Sequence, residues 1–125
     1  MKVIIDTHVL LWWLDEPKSL SKEARDVLAQ QENIVYVSAA STWEIAIKQS
    51  LGKLKIPKGI EVVLEKNSFT ELSISILHSR AVAQLPSIHG DPFDRLLIAQ
   101  TICEKASIIT RDKIFSKYHI PVIKA

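Results

Sequence analysis

The chain has 125 residues and a mass of 14.1 kDa, enough for one core and too short for two. Hydrophobic residues at 47% and charged residues at 24% exclude a disordered chain, and three Gly with five Pro exclude collagen-like and low-complexity classes. A net charge of +2 permits a nucleic-acid partner without demanding one, and the lone Cys103 excludes a disulfide framework or a Cys-rich zinc site.

A single domain over residues 1–125 is expected. The apolar stretch Val9 to Leu14 is cut off by Asp15 and Glu16, far short of the ~20 residues of a membrane span. Asp6 and His8 interrupt what a signal peptide would need as an apolar core. A soluble, cytoplasmic protein with no membrane partner is therefore expected.

Val3-Ile4-Ile5 is a β-branched run that reads as a buried strand. Thr7 to Leu14 reads as a short helix ending before Pro17. Ser21 can cap a helix running through Ala29, with Ala24, Val27 and Leu28 inward. Ile34 to Val37 is the second strand. Ser41 to Leu51 is a helix closed by Gly52, and Pro57 to Lys66 a shorter one. Phe69 to Leu72 reads as a strand, and Ser75 to Leu85 as a helix stopped by Pro86. Pro92 to Lys105 is the longest helix. Ser107 to Thr110 and Val122-Ile123 are the last strands. Strands alternating with helices indicate an α/β fold with a mostly parallel sheet. In such sheets ligands bind beyond the carboxyl ends of the strands.

Asp6 directly follows the first strand, and Asp112 follows Ile108-Ile109 of the fourth after two residues. A carboxylate just past a buried strand is costly unless it is paired, caps a helix or holds a cation. Ser41-Thr42-Trp43-Glu44 has the form of a capping box. Asp91-Pro92-Phe93-Asp94 reads as a helix start, with Asp91 as cap and Pro92 in the first helical position. Singly, each acid has a structural explanation. Jointly, Asp6, Glu44, Asp94 and Asp112 fall where an α/β fold could gather them in one cleft. Carboxylates so gathered must take up protons or bind a divalent cation, and oxygen donors select Mg²⁺ or Mn²⁺.

The segments Asp6-Thr7-His8-Val9-Leu10-Leu11-Trp12-Trp13-Leu14, Ser38-Ala39-Ala40-Ser41-Thr42-Trp43-Glu44-Ile45-Ala46 and His89-Gly90-Asp91-Pro92-Phe93-Asp94-Arg95-Leu96-Leu97-Ile98-Ala99-Gln100 resemble the PIN domain family. More narrowly, they are similar to its VapC-type ribonuclease toxins, and Thr110-Arg111-Asp112 resembles the family's fourth acidic position. The resemblance runs from Lys2 to Val122. It implies a three-layer α/β/α fold with a short central sheet. It implies catalytic acids at Asp6, Glu44, Asp94 and Asp112, with the metal held by Asp6, Asp94 and Asp112. Asp91 either shares the metal or only caps the helix. It further implies Mg²⁺- or Mn²⁺-dependent cleavage of RNA with water as nucleophile, a cognate antitoxin partner and a homodimer.

Lys48, four residues after Glu44, reads equally as an ion-pair partner of Glu44 and as a phosphate contact. Arg95 reads as the partner of a neighbouring acid or as a substrate contact. Lys53, Lys55 and Lys58 form a basic stretch, simplest as a solvated face. Core packing is the simpler reading of Trp12, Trp13 and Trp43, with an exposed protein interface as the other. His8, His78, His89 and His119 lack zinc-site spacing. Cys103 reads as a buried thiol. Three rivals remain. A receiver-like phospho-acceptor domain expects adjacent acids after the first strand, where this chain has Asp6-Thr7. A DxDx(T/V) phosphatase expects a second Asp where His8 stands. A non-catalytic RNA- or protein-binding module would need no complete acid set.

Overall fold

The computed structural model describes residues 1–56 and 59–125. Five strands, β1 (Lys2–Ile5), β2 (Ile34–Ser38), β3 (Thr70–Leu72), β4 (Ser107–Thr110) and β5 (Val122–Lys124), form one sheet in the order β3-β2-β1-β4-β5. Every pairing is parallel, so the sheet goes beyond the mostly parallel expectation. β1 lies in the middle, with Val3 opposite Val35 on one side and Ser107 on the other. Its unbroken apolar run follows from burial on both faces.

Strand alternation divides the core into two layers. Val3, Ile5, Val35, Val37, Ile109 and Ile123 face one side, where helices α1 (Thr7–Asp15) and α2 (Lys22–Ala29) supply Val9, Leu10, Ala24 and Leu28. Ile4, Leu72 and Ile108 face the other, against Leu97 and Ile98. Those two come from α6 (Pro92–Cys103), and Phe115 and Tyr118 of a 3-10 segment (Lys113–Tyr118) complete the layer. Helix α3 (Ala39–Ser50) leaves β2 with no intervening loop. α4 (Ile60–Lys66) and α5 (Ile76–Val82) flank β3 in sequence.

Local chemistry explains most departures from the expected boundaries. Helix α3 begins three residues before the expected cap, because the Ser38 hydroxyl accepts the Ala40 N–H at 3.0 Å and caps it first. The capping box at Ser41 and Glu44 therefore does not form. Ser41 is buried in the first turn, and its hydroxyl has no hydrogen-bond partner among the described residues. Gly59 caps α4; the expected start at Pro57, and Lys58, lie outside the described residues. Helix α5 ends at Val82, short of Leu85. The turn at Pro17–Ser19 and the 3-10 segment were not foreseen, since each is too short for a clear periodicity.

One buried polar chain sets the position of α6 at the carboxyl edge. Gln100 is fully buried. Its Oε1 accepts the Ser38 hydroxyl at 2.5 Å, and its Nε2 donates to the Ser73 carbonyl at 3.3 Å. The same Nε2 lies 3.3 Å from His78 Nδ1, and His78 Nε2 lies 2.9 Å from Glu104. The ends of β2 and β3 are thereby tied to one helix. Gln100→Ala leaves Ser38, Ser73 and His78 without this partner at once and is expected to cost about 2–3 kcal/mol, seen as a lower urea midpoint with an unchanged slope.

Candidate active site

The carboxyl ends of β1 and β4 are adjacent, so the residues following them meet. Asp6 extends β1, its N–H donating to Ile109 O at 3.2 Å. It then caps α1, with Oδ1 accepting the Val9 N–H at 2.8 Å. Its other oxygen accepts the Thr110 hydroxyl from the end of β4. That hydroxyl in turn accepts the Asp112 N–H at 3.1 Å, so Thr110 joins the two acids. Asp112 caps the 3-10 segment through Ile114 N–H at 3.0 Å. The capping explanation of both acids is thus correct as local structure, and it also fixes where their remaining lone pairs lie.

Glu44 reaches the same place from the second turn of α3. Its Oε1 accepts the Thr7 hydroxyl at 2.6 Å, and its Oε2 lies 3.5 Å from Lys48 Nζ. Asp91 caps α6, with one oxygen accepting the N–H groups of Phe93 at 2.8 Å and Asp94 at 3.1 Å. This leaves Asp94, one turn in, to project into the cleft, where its Oδ2 lies 2.8 Å from His89 Nε2. Asp6, Thr7, His8, Glu44, Asp91, Asp94, Asp112 and Phe115 line one cavity of about 80 Å³. A larger cavity of about 500 Å³, beside Trp13, Asn33 and Asn67, sits at the amino ends of β2 and β3 and is lined by no acid. Size does not mark the chemistry here.

Burial pushes the Asp6 carboxyl above its ordinary value; the Thr110 and Val9 hydrogen bonds oppose the rise, and nearby Asp112 adds to it. Burial likewise raises Asp94, opposed by the His89 hydrogen bond and reinforced by the charges of Asp91 and Asp6. The acids therefore sense one another across the cleft. Donor atoms of His89, Asp94 and Asp112 all lie within 4.8 Å of one another. An octahedral ion with bonds of about 2.1 Å has donors about 3–4 Å apart, so a modest side-chain adjustment of this set would bring the three donors to a single small divalent cation. Asp6 stands beside that group rather than in it, with an oxygen engaged by Val9 and another by Thr110.

Three residues at this site were not identified from the sequence as part of it. Thr7 and Thr110 are hydroxyls next to strand ends, visible only once the partner acids are placed. His89 gives no spacing signal, because its partner Asp94 is five residues away across a helix start. Arg95 departs from expectation. It pairs with no acid among the described residues. Its guanidinium donates to the carbonyls of Val82, Pro86 and His89 at 3.0–3.3 Å and to the Tyr118 hydroxyl at 3.4 Å. The head group is spent on holding the segment before α6, not left free for a substrate. Trp43 is 59% exposed, against the core reading. Trp12 and Trp13 are half-buried, and Arg111 lies 4.2 Å over the Trp12 ring. Cys103 is only partly buried.

The PIN domain family model matches residues 3–120, so this chain belongs to the PIN domain family. Among its relatives is "Ribonuclease VapC22" of Mycobacterium tuberculosis, 30% identical over 123 residues, which are 95% of this chain and 93% of that protein. The fold is also that of the Rickettsia felis VapBC2 complex, solved bound to a DNA fragment from its promoter, with TM-score 0.76 and 14% identity over 99% of this chain and 98% of that one. FitAcB from Neisseria gonorrhoeae is similar at TM-score 0.61 and 19% identity, over 97% and 96% of the two chains.

The raised Asp6 carboxyl has a consequence for stability. The native state holds this proton more tightly than the unfolded chain. Its stabilising contribution is therefore complete below the ordinary value of 3.8 and is lost as pH rises through the native value. Asp6→Asn removes that burden while still accepting the Val9 N–H. In chelator at pH 7 it is expected to melt at a higher temperature than the parent, with the gain vanishing as pH falls past 3.8. Thermal melts across pH test this.

Proposed function

We propose that this protein is a metal-dependent endoribonuclease acting as the toxin of a toxin–antitoxin pair. The observation that carries this reading is the convergence of Asp6, Glu44, Asp94 and Asp112, from four distant segments, on one cavity. The relative named as a ribonuclease and the complexes that share the fold support it. In this reading residues 1–125 act as one PIN domain. Among the described residues no helix is long and apolar enough to cross a membrane, which agrees with work in the cytoplasm.

Asp94 and Asp112, with Asp6 beside them, would hold Mg²⁺ or Mn²⁺. When bound, the ion supplies Lewis acidity toward a water molecule and offsets charge on the phosphodiester. The chain's own residues do the positioning. Thr110 and Val9 fix the Asp6 carboxylate, and Asp91 occupies the helix cap so that Asp94 is free. Glu44, steadied by Thr7, would accept the proton of the attacking water. Lys48, beside Glu44 and partly exposed, offers its ammonium to a phosphate oxygen. In this reading water attacks phosphorus in line as its proton passes to Glu44, the bond to the 3′ oxygen breaks, and that oxygen takes a proton from solvent, leaving a 5′-phosphate and a 3′-hydroxyl.

The partners fit the surface. Trp43, Ile47 and Leu51 are 59%, 37% and 62% exposed at four-residue spacing on α3, an apolar stripe suited to a second copy of the chain. The antitoxin would be the other protein partner, as in the complexes sharing this fold.

Incubation with structured RNAs should give cleavage that EDTA abolishes and Mn²⁺ or Mg²⁺ restores, with the product ends above. Asp94→Asn should lose about 100-fold or more in rate with an unchanged circular dichroism spectrum. Full activity in EDTA, or in Asp94→Asn, would overturn the reading. Lys48→Ala should raise KM more than it lowers kcat and flatten the salt dependence of RNA binding. Light scattering should find a dimer that Leu51→Glu dissociates.

A further inference from the structure

We infer that His89 is itself a ligand of the metal site, so that the donor set mixes one imidazole nitrogen with carboxylate oxygens and favours Mn²⁺ over Mg²⁺. This rests on the nuclease reading above and adds to it the nature of the ion.

Geometry carries the inference. His89 Nε2 lies 2.8 Å from Asp94 Oδ2, and its donor atom falls within 4.8 Å of the donor atoms of both Asp94 and Asp112. Donors on one small octahedral ion stand about 3–4 Å apart, so His89 and Asp94 already have about that spacing and Asp112 lies within a small side-chain adjustment of it. The ring sits in the segment joining α5 to α6, yet its backbone is fastened on both sides. The His89 N–H donates to the Tyr118 hydroxyl at 2.8 Å, and its carbonyl accepts from Arg95 at 3.3 Å. Arg95 also donates to the same Tyr118 hydroxyl at 3.4 Å and to the carbonyls of Val82 and Pro86. Tyr118 is buried in the core. A loop residue held through both its N–H and its C=O by two side chains is pre-organised, as ligands on rigid supports are. The cost of immobilising it is met before the ion arrives.

Donor chemistry then sets the selectivity. Mg²⁺ demands oxygen and parts reluctantly with its waters, whereas Mn²⁺ accepts nitrogen beside oxygen more readily. A neutral imidazole also adds no charge to a cleft already crowded with carboxylates. The competing role, in which His89 only steadies Asp94, calls for a proton on Nε2. A ligand uses the Nε2 lone pair and carries its proton on Nδ1. The two roles therefore differ in a spectroscopic property and not only in activity.

The test uses the full chain, free of RNA, titrated with Mn²⁺ alone and with Mg²⁺ alone. Pulsed electron paramagnetic resonance of the Mn²⁺-loaded parent should show coupling to one histidine nitrogen, altered when histidine is supplied as ¹⁵N. This measurement needs no variant. His89→Gln, checked for parent-like melting in chelator, should lose the coupling and weaken Mn²⁺ binding by about tenfold, while Mg²⁺ binding changes by less than about threefold. His89→Asn serves if the first variant folds poorly. Mn²⁺ binding without nitrogen coupling overturns the role of His89 and leaves the nuclease reading standing. Binding of Mg²⁺ without Mn²⁺ overturns the role of His89 alone, and failure of both ions to bind overturns both readings.

Discussion

The site depends on a carboxylate kept out of water at the end of a central strand. Asp6 belongs to the rim of a parallel sheet, where its backbone makes the last bond to β4 and the first of α1 and water is largely excluded from its side chain. Left alone there, its charge would be untenable. The fold answers with an N–H from α1 and a hydroxyl from β4, which hold the group in place without neutralising it. Burial still dominates over those bonds, and neighbouring acids add to it. A cleft built this way is electrostatically unsatisfied, and a doubly charged ion would relieve it. Stability given up in the bare protein would then become attraction for a cation.

The supports of this cleft are polar and mostly buried. Thr7, Thr110, Gln100 and Ser38 are all inaccessible to solvent, and each joins two elements that are far apart in sequence. Apolar packing holds the layers together, but these bonds decide how the layers meet at the rim. Arg95 does similar work outside the cavity, tying the ends of α5 and the following segment to Tyr118. Hydrogen bonds of this kind are directional, and each orphaned partner is costly, so they specify one arrangement more sharply than a greasy contact would.

The layered α/β plan was legible because β1, β2 and β4 are short β-branched runs and the helices between them carry clear stripes. The four acids were legible from their places after strands or at helix starts, together with the family resemblance. Helix α3 starts earlier than the pattern suggests because Ser38 at the end of β2, and Ser41 and Thr42 after it, could each cap; packing, not propensity, selects Ser38. His89 was missed because proximity to Asp112 is a matter of tertiary structure. Arg95 was misassigned because a guanidinium next to an acid in sequence points elsewhere on a helix, here toward carbonyls. The rule is general: the kind of element is written locally, while the use of a polar side chain depends on what the fold brings opposite it.

The strand order has a consequence for how the molecule comes into being. The first strand made is the middle of the sheet, and its neighbour β4 lies about a hundred residues downstream. The C-terminal residue then closes the edge, its N–H bonding to Thr110 and its carbonyl to Arg111. During translation the Asp6 segment has no Thr110 to meet and no Asp112 beside it until about a hundred further residues have been made. The cavity that gathers the four acids is therefore incomplete until the segment after β4 has emerged, and its electrostatic strain arises only at that late stage.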